Sequence, residues 1–170
     1  MPTHLSRAAL LVGALAALPL RGLIAQQPIY VAPNAPRDQP ANLTAQCQWR
    51  ELIKATEPLV AEARRTYPAA KQRYIAGLPP RQTFFITVRI DDSLAHHEQI
   101  FVAVDSIGGD RIVGRIASEI GVVRGYRAGQ RYVAREAEVI DWLISKPDGS
   151  EDGNVVGKFL DTYQPPRDCR

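Results

Sequence analysis

Polar and apolar positions change their period once along this chain. From residue 83, TFFITVRID alternates with period two and sets Phe84, Ile86, Val88 and Ile90 on one face, which predicts a strand. EQIFVAVDS, RIVGRIAS, QRYVAR, EVIDWLIS and NVVGKFLDTY read as further strands. GGD at 108–110 and PDGS at 147–150 are hairpin turns, and GVVRGYRAGQ is a loop leading into QRYVAR. The connections are too short for crossover helices, so the sheet is antiparallel, with about five to six strands. Several strands are apolar on both faces, which points to strong curvature and a sheet closing towards a small barrel.

Before residue 83 the period is helical. Trp49, Leu52, Ile53 and Thr56 share a face, with Asn42 or Thr44 as N-cap. Thr56 then caps a second segment, PLVAEARRTYPAAKQRYIAG, along which Leu59, Ala63 and Tyr67 line one side and Gly77 marks the end. Pro68 is expected to kink or split it. The fold class is therefore α+β: an N-terminal helix or kinked helix pair packed on an antiparallel sheet.

The first residues read as an address. MPTHLSR, the apolar AALLVGALAALPL and RGLIA match a secretory signal peptide cleaved after Ala25, with an apolar run too short for a comfortable transmembrane span. Residues 26–43 form a Pro-rich tether, 44–163 a single domain and 164–170 a C-terminal tail. The expected location is periplasmic or secreted, with no transmembrane anchor after cleavage.

Composition matters once the leader is set aside. The whole chain holds 21 Lys+Arg against 18 Asp+Glu, a net +3. Residues 1–25 carry Arg7 and Arg21 and no acid, so what remains is near +1, with basic residues scattered along the sequence. That argues against a nucleic-acid partner. The two cysteines, Cys47 and Cys169, stand one near each end of the mature chain, and in an oxidising compartment they read as one disulfide, the alternative being free or intermolecular thiols.

Candidate chemistry is sparse. His96 and His97 are followed by Glu98, but adjacent histidines at a strand entrance point in opposite directions, so no metal site and no cofactor are expected. There is no GxSxG, and Ser93, Ser106 and Ser118 have no ordered base beside them. Acid–base groups are carboxylates: Glu98, Glu119, Glu138, Asp141 and Asp161. Asp141 is the oddity, a charge between aliphatics in EVIDWLI, where it is a catalytic group, a ligand contact or a hydrogen-bonded brace. Trp142 is the leading candidate for a binding contact, or else packs under the helices, and Tyr126 and Tyr132 flank the same surface. No catalytic residue is assigned; Glu98, Asp141, Trp142 and Tyr126 are the binding candidates.

AEARRTYP, TFFITVRI, HEQIFVAV, IVGRIASE, RAGQRYVAREAEVIDWLI and NVVGKFL, in this order over residues 55–162, resemble the YegJ-like family of exported bacterial proteins, a small domain of unknown function. The family pattern falls on Glu98, Phe101, Gly114, Gly129, Ile140, Asp141, Trp142, Gly157 and Phe159. The chain departs from it at Gln99 (often His), Phe101 (Trp), Ser118 (Asn), Gln130 (Asp) and Ile120 (Pro). The resemblance implies a fold and an export signal, and no established activity.

The functional expectation is a non-catalytic binding module of the cell envelope, meeting another exported protein or an envelope ligand as a monomer or weak oligomer. The alternatives are a carboxylate-dependent hydrolase and an inhibitor or immunity-type partner of another exported protein.

Overall fold

The computed structural model describes residues 46–166 together with Pro36. The expected signal peptide, nearly all of the Pro-rich tether, the caps Asn42 and Thr44, and Cys169 lie outside the described residues. A single helix α1 (Gln46–Ile75) is followed by β1 (Thr83–Asp91), β2 (His97–Gly108), β3 (Arg111–Ile116), β4 (Arg131–Arg135) and one 3-10 turn (Glu136–Glu138). Then come β5 (Asp141–Ser145), β6 (Glu151–Gly153) and α2 (Val155–Leu160). All strand pairs are antiparallel, in the order β4-β3-β2-β1-β5-β6. β4 and β6 are the two edges, so the six-stranded sheet stays open rather than closing into a barrel.

Of the two forms expected, one helix or a kinked pair, the chain takes the single helix, and the prolines do not split it. Pro58 and Pro68 both lie inside it, and both are exposed, as are Lys54 and Arg64, whose carbonyls lose a bond to the missing proline N–H. Water can satisfy those carbonyls. The buried positions Leu52, Thr56, Ala63, Tyr67 and Ala70 recur at helical spacing through both prolines, so the packed side holds the helix in one piece. Thr56 does not cap a second segment. Its hydroxyl donates back to Leu52 O at 2.9 Å and Ile53 O at 3.1 Å, within the helix. Gly77, with φ of +96°, follows the helix end as the sequence predicts.

α1 covers one face of the sheet. Ala63, Tyr67 and Ala70 join one buried cluster with Phe84, Ile86, Val88, Ile90, Ile100, Val102, Ile112, Ile116, Trp142 and Ile144. Phe85 and Leu143 on the reverse face are also fully buried, which explains why these strands read as apolar on both sides. β2 carries an irregularity between Val104 and Ser106. Opposite it, Gly114 runs so close that a Cβ there would lie 2.2 Å from Ala103 O.

Two strand expectations change near the C-terminal end. EVIDWLIS is extended only from Asp141, because Glu136–Glu138 make a 3-10 turn held by Glu138, whose carboxylate accepts the Arg135 N–H at 2.9 Å. NVVGKFLDTY is not a strand. The short β6 ends at Gly153 (φ +79°), Asn154 follows at φ +56°, and these two left-handed residues turn the chain into α2.

Candidate functional site

Asp141 opens β5 opposite Thr87 of β1 and is 1% exposed. Its Oδ1 accepts the backbone N–H of Trp142 at 2.8 Å. Its Oδ2 accepts those of Val156 at 2.7 Å and Gly157 at 3.4 Å, the unbonded donors in the first turn of α2. Burial pushes the Asp141 carboxyl above its ordinary value, against the pull of these N–H groups. The charge between aliphatics is thus a brace that fastens α2 to the sheet.

Trp142 points to the opposite face, and the structure places it under α1 at 8% exposure. Its Nε1–H donates to Ala63 O at 3.1 Å and Thr66 Oγ1 at 3.0 Å, and its ring tilts against Phe84. Neighbouring residues of one strand therefore tie down the two helices. Arg64 Nε adds a bond from α1 to Val139 O at 2.9 Å, where the chain enters β5.

Glu98 does similar work at the start of β2. Its carboxylate accepts three successive backbone N–H groups, Gly121 at 2.8 Å, Val122 at 3.2 Å and Val123 at 3.3 Å. The next one, Arg124 N–H, goes to Asp92 Oδ2 at 3.1 Å. Asp92 also takes Leu94 N–H at 2.8 Å, His96 N–H at 3.1 Å and the His96 ring Nδ1 at 2.9 Å. Burial raises the Asp92 carboxyl, but the His96 ring and the three backbone donors outweigh it and hold it well below the usual carboxylate range. Two carboxylates thus stitch the 92–96 turn to the 121–124 loop. Asp92 carries more of the loop than the sequence suggested. The available signal was an Asp two residues before Leu94 in a strand connection, a common turn-forming position.

Tyr126 is half-buried, its ring tilted against that of Tyr132 at a 6.2 Å centroid distance, and packs on the core. His97 is exposed; its Nδ1 meets Asp91 Oδ1 at 2.5 Å and its ring stacks on Trp49 at 6.2 Å.

The candidates do not converge. Glu98 pairs with Ile90, whose side chain faces α1, whereas Asp141 pairs with Thr87 on the reverse face. Along β1 these positions stand roughly 10 Å apart at about 3.3 Å per residue. Glu98 and Asp141 therefore lie on opposite sides of the sheet and share no cleft. Among the described residues, no group of three or more His, Cys, Asp or Glu is placed to hold a metal ion, and no helix is long and apolar enough to cross a membrane.

No family model matches this chain, and neither a curated protein nor a solved structure matches it.

Proposed function

We propose that this chain is a non-catalytic binding module of the cell envelope, meeting its partner through its surface. The observation that carries the reading is the commitment of Glu98 and Asp141 to backbone N–H groups on opposite faces of the sheet. Glycoside hydrolysis by a carboxylate pair needs two carboxyl groups flanking one bond, and these two are held apart and already engaged. The leader-like residues 1–25 support export, and Ile140-Asp141-Trp142 supports kinship with the YegJ-like family.

In the same reading Cys47 pairs with Cys169. No cysteine among the described residues is free, and Gln48 Nε2 donates to Pro166 O at 3.1 Å, which brings the chain next to Cys47 beside the segment leading to Cys169.

The test is cross-linking and capture with the mature protein in the envelope fraction, read by mass spectrometry against an unrelated exported protein. One specifically enriched partner is the expected result. Turnover of an envelope substrate that is lost in Glu98→Gln contradicts the reading.

A further inference from the structure

We infer that the outer edge of β4 is a docking strand for an extended acidic peptide with acidic residues four positions apart. This rests on the binding-module reading and names its site and partner chemistry.

The basic residues that look scattered in sequence are gathered by the strand register. Arg111 stands opposite Arg135, and Arg115 opposite Arg131, with Val113 opposite Val133 between them. All five-residue alternations here put these side chains on the reverse face, away from α1, because Ile112, Ile116 and Ala134 belong to the α1-facing core. The four arginines are exposed and the two valines half-buried. Like charges directly opposite one another destabilise a sheet, so this pairing is a cost to the isolated domain.

Little nearby offsets it. Arg135 pairs with Glu138 at 3.0 Å, and Arg115 reaches Asp105 only at 3.9 Å and Gly129 O at 3.4 Å. Arg111 and Arg131 meet no carboxylate among the described residues.

Among the described residues, no strand pairs with the outer main chain of β4. Glu136 N–H donates inward to Asp110 O. By antiparallel alternation, Tyr132 and Ala134 also point their N–H groups at β3, and Arg131, Val133 and Arg135 point outward. The Arg135 N–H is taken by Glu138 Oε2 at 2.9 Å, which leaves Arg131 and Val133 facing outward at this edge.

An added strand would place residues i and i+4 on one face, about 13 Å apart at about 3.3 Å per residue. That spacing matches Arg131 and Arg135, with Arg115 and Arg111 behind them and residue i+2 over Val133. Backbone bonds would supply affinity and the paired acids register.

The probe is the blocked heptapeptide Thr-Glu-Thr-Val-Thr-Glu-Thr, titrated into the full mature protein and followed by backbone amide NMR. The control, Thr-Thr-Glu-Glu-Thr-Val-Thr, has the same composition but sets its acids on opposite faces. Saturable binding with shifts at Arg131 and Val133, weakened about tenfold in the control, is expected from two exposed charge pairs. Arg131→Glu, at the arginine with no carboxylate of its own among the described residues, should weaken binding while raising the Tm, since the new acid faces Arg115 across the strand pair; a merely structural role for the arginine would not link the two readouts. Arg111→Glu with Arg115→Glu should weaken binding with the β4 edge itself untouched. Equal binding of both peptides, no binding, or β4 shifts produced by anionic vesicles or an oligonucleotide and not by the peptide would overturn the site. Partner capture by a protein that ignores the peptide overturns the β4 edge and leaves the binding-module reading standing.

Discussion

The Asp141 carboxylate holds the first turn of α2: its Oδ2 accepts the Val156 N–H at 2.7 Å, from a strand residue that is itself buried. Removing it strands donors at Trp142, Val156 and Gly157. Asp141→Ala is expected to cost about 2–4 kcal/mol, because hydrogen bonds to a charged acceptor are lost and buried N–H groups are left unpaired. A denaturant melt checks this.

The same residue predicts a pH dependence. Burial raises its carboxyl in the folded protein. The folded state then holds the proton more tightly than the unfolded chain does, and that contribution is full below the unfolded value and is lost as pH rises through the folded one. Wild type should therefore lose stability relative to Asp141→Asn as pH increases above the ordinary carboxylate range. Paired melts across the acid limb measure the difference. Asp92 behaves in the opposite sense. Its depressed carboxyl contributes above its unfolded value and stops contributing as pH falls through the folded one, a dependence that Asp92→Asn should flatten.

Trp142 separates packing from hydrogen bonding. Trp142→Phe keeps an aromatic ring against Phe84 but removes the donor to Ala63 O and Thr66 Oγ1, for an expected loss of about 1–2 kcal/mol. Trp142→Ala also opens a cavity under α1, for about 3–5 kcal/mol. Equal losses in thermal melts of the two variants would contradict the role of the indole N–H.

Much of the architecture is legible in the residues themselves. Phe84, Ile86, Val88 and Ile90 alternate as β1 requires, and the glycines of the 108–110 and 147–150 turns mark real hairpins. α2 was hidden because Val155 and Val156 favour strands, and what starts the helix is Asn154 in a left-handed conformation and a carboxylate at Asp141, distant in sequence. Pro68 misled for a related reason. A local rule against proline gave way to burial of Ala63, Tyr67 and Ala70 on either side of it. At the candidate site, Asp141 stands out in sequence as a charge among aliphatics. The partners of Asp141 and Glu98 depend on how loops return to the sheet, which periodicity does not encode.

Gly114 offers a steric test. A Cβ would lie 2.2 Å from Ala103 O and 2.7 Å from Val102 Cγ1, so Gly114→Ala must push β2 and β3 apart. A loss of about 1–3 kcal/mol is expected, read by the midpoint of urea unfolding.

The proposed pairing of Cys47 with Cys169 predicts an intact mass that gains two hydrogens on reduction. It also predicts a lower Tm under reductant, by up to about 4–5 kcal/mol of stability on the chain-entropy account. An unchanged mass removes the bridge.

Glu98 and Asp141 are structural braces whose partners are backbone amides. Residue-resolved amide hydrogen exchange tests this most directly, comparing wild type with Glu98→Gln and Asp141→Asn. Protection should fall at Gly121, Val122 and Val123 in the first variant and at Val156 and Gly157 in the second, with the amides of β1 and β2 unchanged. Undiminished protection at those five amides would contradict it.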